Sequence, residues 1–338
     1  MRAAFFGCLV AAAACGGGHD EAAPPRASGQ SEWTLGAPLP VARFEAYAAV
    51  QRRKILFIGG ITGVFGDIAT AEPSRRVDVL DPAARTWSAG PELPADAPKH
   101  HLTVATWDDR IYVLGGFDGI LAQHPGEPFR PVATAYVLDG AAWRKIASPP
   151  LARGAATAQA IAGKIYVTGG APNEGEPSFT ALDVYDIATD RWSQGAPLPT
   201  AREHLASCAL GGKMIVVGGW IAAPVHDAAQ NAAESYDPAL DRWTSLPPLP
   251  TARGGLAAIA QDGVCHVVGG EDWALPFPGT FGAHEVFDPA RGAWSTARVM
   301  PTARHGFGLA SLAGALYAIG GGPSQGNSYT DVVEIQSP

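Results

Sequence analysis

The sequence predicts an all-β fold, a six-bladed β-propeller of four-stranded antiparallel blades closed into a ring. Three observations predict it. A Gly-Gly pair closes an apolar run at Gly59-Gly60, Gly115-Gly116, Gly169-Gly170, Gly218-Gly219, Gly269-Gly270 and Gly320-Gly321. A tryptophan recurs beside these pairs: Trp33, Trp87, Trp143, Trp192, Trp243 and Trp294 lie 54, 56, 49, 51 and 51 residues apart, a period that marks stacked supersecondary units. No segment sustains a helical period for long, whereas short apolar runs bounded by Gly, Pro and Asp recur throughout, as strands do. A lone four-stranded sheet would expose an apolar face, so such units must stack on their neighbours, and six of them close into a propeller.

The elements follow in chain order. Met1-Arg2, the apolar stretch Ala3 to Ala14 and the small residues before Cys15 read as an export signal, too short to cross a membrane as a helix. Gly16 to Ser31, rich in Gly, Ala and Pro, suits a flexible linker, leaving residues 32–338 for the propeller. The fourth repeat shows the unit most plainly. His204 to Leu210 forms a first strand after Arg202, Gly211-Gly212-Lys213 a turn, and Met214 to Val217 a second strand ending in Gly218-Gly219. A variable loop then leads to Glu234-Ser235-Tyr236-Asp237-Pro238 and to Trp243-Thr244-Ser245-Leu246. We call these strands a, b, c and d outward from the axis. The last repeat ends at Ile335-Gln336 with no tryptophan after it, while Trp33 to Pro40 matches a strand d without a blade. The N-terminal strand is therefore expected to complete blade 6, which removes the open edges of the array.

The run Ile165-Tyr166-Val167-Thr168-Gly169-Gly170, then Leu182-Asp183-Val184-Tyr185-Asp186, then Trp192, resembles a kelch repeat, and the resemblance recurs from about Trp33 to Gln336. Blade 2 departs from it, with Val137-Leu138-Asp139-Gly140 where other copies carry an aromatic-Asp-Pro. Ala12-Ala13-Ala14-Cys15-Gly16 resembles a bacterial lipobox, which implies lipidation of Cys15 and, with Gly16 next, an outer-membrane anchor; an ordinary secretory signal is the alternative. Membrane contact is then expected through the lipid alone, on an exported monomer of the cell envelope.

The formal charge is −8, and no basic run or basic-aromatic patch is present, which excludes nucleic acid as the expected partner. Two cysteines fall within the repeats, Cys208 in a strand a and Cys265 in the next blade's strand b. Because these strands are not equivalent and a bridge needs Cα atoms within about 7 Å, two buried free thiols are expected.

Antiparallel order puts the start of a, the end of b, the start of c and the end of d on one face. The a-to-b and c-to-d turns opposite are short and bland, while the b-to-c loops vary, as binding loops on a fixed scaffold do. The candidate ligand face therefore comprises Glu45, His100, His101, Asp118, Asn173, Glu203, His204, Trp220, Glu271, Asp272, Trp273 and His305. Trp220 and Trp273 break the repeat; they suit a sugar or peptide, or pack under their own loops. The strand starters Arg43, Lys99, Arg153, Arg202, Arg253 and Arg304 occur in every blade, so a shared structural task is expected, such as bonding carbonyls or a carboxylate of the neighbouring blade. Histidine-carboxylate groups can hold metals or move protons, but no local metal motif occurs, so neither metal nor cofactor is expected. The leading expectation is a non-catalytic module binding a protein, peptide or glycan. The kelch resemblance also admits a sugar-active enzyme of the sialic acid epimerase type, with Glu203 and His204, or Glu45 and His100, exchanging a proton and the basic ring holding a carboxylate. A copper oxidase of the galactose oxidase type is disfavoured by blade number and by the placement of Cys208 and Cys265.

Overall fold

A computed structural model describes residues 32–64, 67–119, 129–173, 176–221 and 228–338. The signal, Cys15 and the linker expected over residues 1–31 lie outside the described residues. Six four-stranded antiparallel sheets make the ring, and among the described residues there is no helix. Blade 1 comprises Tyr47–Gln51, Lys54–Ile58, Val77–Asp81 and Thr86–Ala89. Blade 2 comprises Val104–Trp107, Arg110–Asp118, Arg130–Asp139 and Ala142–Ile146. Blade 3 comprises Gly154–Ile161, Lys164–Ala171, Leu182–Asp186 and Arg191–Gly195. Blade 4 comprises Ala206–Leu210, Lys213–Val217, Ala233–Asp237 and Arg242–Ser245, and blade 5 Ala257–Gln261, Val264–Val268, His284–Asp288 and Ala293–Thr296. Blade 6 takes Gly308–Leu312, Ala315–Ile319 and Val333–Gln336 from the C-terminal end and Trp33–Leu35 from the other, paired Trp33 to Gln336 and Leu35 to Glu334. Two b-to-c connections carry ribbons of their own: Ile61–Val64 with Asp67–Pro73, and Trp220–Ile221 with Ala228–Ala229.

The core is divided among the joints. Each adjacent pair of blades shares one apolar cluster, for example Leu56, Ile58 and Val77 of blade 1 with Ile111, Val113 and Leu138 of blade 2, and Ile161 and Val184 of blade 3 with Met214 and Val216 of blade 4. Burial at these joints is the main drive to stack, and it explains why a blade in isolation would be unstable. The repeating tryptophans tie the rim. Every indole N–H donates to the backbone where the preceding blade's strand d leaves: Trp87 to Ala37 at 3.0 Å, Trp143 to Pro91, Trp192 to Ala147, Trp243 to Ala196 and Trp294 to Pro247, each at 2.8 Å. Trp33 donates to Arg298 at 3.0 Å and so completes this girdle together with blade 6.

One expectation is overturned. Cys208 and Cys265 form a disulfide with Cα atoms 6.2 Å apart. The two strands are not equivalent, yet neighbouring sheets pack face to face with a stagger that sets strand a of blade 4 against strand b of blade 5. Both sulfurs lie in the apolar cluster of that joint with Ile215, Val217, Val267 and Phe287.

Deleting residues 32–40 removes the blade-6 outer strand and one link of the girdle, and it should sharply lower the cooperative melting midpoint; an unchanged melt would refute the closure. The disulfide closes a sequence separation of 57 residues, for which chain entropy gives at most about 4 kcal/mol. The C208A/C265A double variant should lose a substantial part of that in denaturant titration, whereas equal stability would mean that the bridge contributes nothing. His284 is buried beside His266, with 2.9 Å between ring nitrogens, and burial first and His266 second pull it from 6.5 to about 4. The unfolded chain therefore takes up a proton that the folded blade refuses. Stability from this group is full above about pH 6.5 and falls by at most about 3 kcal/mol toward pH 4. In H284Q the drop in melting midpoint between pH 7 and pH 4.5 should shrink; a drop equal to that of the wild type would remove His284 as its source.

Candidate functional site

The site is built on three residues at the head of each inner strand. The first is the basic starter. Its side chain lies inside its own blade: Arg43 meets Asp78 at 2.7 Å, Arg202 meets Glu234 and Arg253 meets Glu285 at 2.5 Å, Arg304 meets Glu334 at 3.0 Å, and Arg153 pairs with Asp183. These acids stand on strand c of the same blade, so the expected carboxylate of a neighbouring blade is corrected. The guanidinium spans its own sheet, as Arg202 Nε also does by donating to Gly218 O at 2.7 Å. Burial lowers the arginines, Arg304 to about 10, while the paired carboxylate opposes the shift. Blade 2 is the exception. Its starter is Lys99, its strand c has Tyr136 at the acid's register position, and the carboxylate comes from Asp118 at the end of strand b, 2.7 Å from Lys99 and 2.8 Å from Arg130. Burial works against the Asp118 carboxylate, but Lys99 and Arg130 hold it below its ordinary range.

The starter's carbonyl faces the preceding blade. Gly219 N donates to Arg253 O, Gly270 N to Arg304 O and Gly321 N to Arg43 O, each at 2.9 Å, and Gly60 N donates to Lys99 O at 2.6 Å. This joint explains the Gly-Gly signature. Gly218 has φ +63, and a Cβ there would stand 2.8 Å from Arg253 O, so both conformation and space require glycine.

Two residues past each starter, Glu45, His101, Ala155, His204, Gly255 and Gly306 all take positive φ, between 48 and 61 degrees. They form a closed ring of backbone hydrogen bonds about the axis. Glu45 N donates to Gly306 O, His101 N to Glu45 O, Ala155 N to His101 O, His204 N to Ala155 O, Gly255 N to His204 O and Gly306 N to Gly255 O, over 2.7 to 3.3 Å. A cavity of about 380 Å³ runs along the axis beyond this ring, lined by the inner strands from Tyr47, Leu102, Ala156, Leu205, Leu256 and Phe307 onward.

The structure brings part of the expected site together here. Glu45, His101 and His204, from blades 1, 2 and 4, each present a donor atom within 4.8 Å of the others. Glu203 accepts from His204 Nδ1, and His100 stands behind His101 with their Nδ1 atoms 2.7 Å apart. The His101 ring lies 4.9 Å from that of His204 and 5.5 and 5.1 Å from Phe117 and Phe129. Tyr47, absent from the sequence reading, donates its hydroxyl to Glu45 Oε2 at 3.2 Å; burial first and the Glu45 carboxylate second push its phenol well above the ordinary value. Gly306 supplies the space, since a Cβ there would run into the Glu45 carboxylate.

Other candidates are placed elsewhere. His305 and Glu271 form a second buried pair, Nδ1 to Oε2 at 3.4 Å. Asp272 Oδ1 accepts from Ala274 N at 2.9 Å, and Asn173 Oδ1 accepts from Phe129 N at 3.3 Å; both organise loops. The two tryptophans part company. Trp220 is 1% exposed and lies across Gly254, where no Cβ fits, whereas Trp273 is 42% exposed on the blade-5 loop.

Comparison with known proteins agrees with this architecture. Residues 201–250 and residues 152–199 each match a Kelch motif. The chain is 25% identical over 309 residues to the Kelch-like protein terF of Aspergillus terreus, covering 90% of this chain and 55% of that protein. It is 32% identical over 154 residues to human Kelch repeat and BTB domain-containing protein 12, covering 42% and 24%, and 36% identical over 86 residues to mouse Kelch-like protein 40, covering 25% and 13%. The chain thus spans about half the length, or less, of the curated relatives it matches. These matches and the six sheets together describe a chain that carries Kelch motifs on a six-bladed β-propeller.

Proposed function

We propose that the protein is a binding module that holds a protein partner on its b-to-c loop face. The observation that carries this reading is where large apolar side chains meet solvent. Of the eight large apolar side chains exposed among the described residues, five stand on b-to-c connections of blades 1, 4 and 5, namely Val64, Ile221, Trp273, Leu275 and Phe277, the last at 72%, while Leu35, Leu240 and Val299 lie elsewhere on the ring. Three of the five share the blade-5 loop, which Gln325 of blade 6 ties down by donating to Asp272 O at 2.7 Å and Leu275 O at 3.2 Å. Exposed aromatic anchors on a braced loop suit protein recognition. The Kelch-like relatives add support by fold alone.

The same reading places the protein outside the cytoplasm, attached through Cys15 by a lipid and a linker. The disulfide supports this placement, because such bonds persist in oxidising compartments. An enzyme acting on a sugar is a second reading, favoured by the contact of Glu203 with His204 Nδ1. It loses the basic ring as a holder of the substrate's carboxylate, since those side chains are paired inside the blades.

Trp273 and Phe277 are exposed, so the W273A/F277A double variant should fold as the wild type does. A partner captured by the wild type from the envelope fraction of the source cells should bind the variant about 30-fold or more weakly, the loss expected for a pair of central anchors. Equal affinity would remove this face as the docking site, and turnover of an acidic sugar by the purified protein would favour the second reading.

A further inference from the structure

The axial cluster supports a different chemistry from the loop rim. Hydrogen bonding sets the tautomers of its histidines. A carbonyl only accepts, so the 2.9 Å contact between His100 Nε2 and Gly119 O makes Nε2 the donor. Nδ1 of a neutral His100 is then an acceptor, and its 2.7 Å contact makes His101 Nδ1 the donor. The lone pair of His101 is thereby placed on Nε2, 3.5 Å from Glu45 Oε2. His204 follows the same logic, because its Nδ1 faces the Glu203 carboxylate and its lone pair falls on Nε2. Each imidazole thus has one nitrogen directed at an acceptor and the other in ligand form, as second-shell partners hold metal-binding histidines.

We propose that Glu45, His101 and His204 bind one divalent transition-metal ion of the zinc class on the propeller axis. A lone pair facing a carboxylate repels it unless a proton or a cation lies between them. Two ligands of one tetrahedral ion at about 2.0 Å stand about 3.3 Å apart, close to the 3.5 Å between His101 and Glu45, and all three donors lie within 4.8 Å. Tyr47 donates to the Glu45 carboxylate, the outer-shell bond that a ligating carboxylate takes. Glu45 and Glu203 bring two carboxylates into nearly solvent-free surroundings, and a divalent ion offsets the cost of burying them. Two imidazoles with one carboxylate favour zinc, iron, cobalt or nickel over magnesium and calcium, which take oxygen ligands. The backbone ring holds the three residues in place, since each is itself a ring member.

The test uses residues 1–338 without a polyhistidine tag, stripped with a chelator and titrated with Zn²⁺ and with Co²⁺. The wild type should take up one equivalent, melt at a higher temperature when loaded, and show the visible absorption bands of low-symmetry Co²⁺. E45Q, H101Q and H204Q should each weaken uptake tenfold or more while retaining the strand circular dichroism of the wild type; should a histidine variant unfold, the near-isosteric E45Q decides. No uptake by the wild type, or uptake that these variants leave unchanged, overturns the proposal. The W273A/F277A variant should bind the ion normally, so failure of the partner reading and failure of the metal site are told apart.

Discussion

The ring depends on the basic residue that opens each inner strand, because one residue acts in two directions at once. Its side chain bonds across its own sheet, and its carbonyl receives the glycine N–H of the sheet before it. The residue two places on then joins the closed circle of amides. Removing one partner from a buried charge pair typically costs 3–5 kcal/mol, largely because the other charge is stranded. These pairs therefore act less as a store of stability than as a registry device, setting the position of strand c against strand b and of each blade against the next. Blade 2 shows that the task outlives the residue types: with Lys99 as starter the carboxylate is supplied by Asp118, and Tyr136 fills the vacated position by hydrogen bonding to Asp96.

Most of the architecture was legible in the sequence, for a physical reason. A feature that six units must share is written six times, so Gly-Gly, the starter and the tryptophan could be read as tasks even before their partners were known. The strand-c acids Asp78, Asp183, Glu234, Glu285 and Glu334 recur in the same way, each as the second residue of its strand, but the repeat alone does not show that the starter of the same blade is their partner. The disulfide was not legible. Counting strands from the axis suggests that an a and a b strand lie far apart, whereas the stagger between packed sheets brings Cys208 to Cys265.

The axial site was legible in its residue types and not in its groupings. Glu45, His101 and His204 are separated by 56 and 103 positions in the chain, so no local motif can announce them. They meet because the position two past the starter is always on the axis. What the sequence conceals is the backbone conformation there. Left-handed φ is ordinary for Gly255 and Gly306 but uncommon for glutamate, histidine or alanine, and it turns these side chains toward one another. Trp220 and Trp273 looked alike as departures from the repeat; the glycine at 254, one blade further on, is what lets Trp220 sink while Trp273 stays in solvent.

The closing strand also gives the molecule a polarity. Trp33 pairs with Gln336, so the chain enters the ring on the side of the c-to-d turns, while the loops with their apolar rim are on the other side. Residue 32 therefore lies at the back of the propeller, away from the variable loops. The entry of the closing strand and the variable loops thus occupy opposite faces of the ring, so a change at the seam leaves the loop surface as it is.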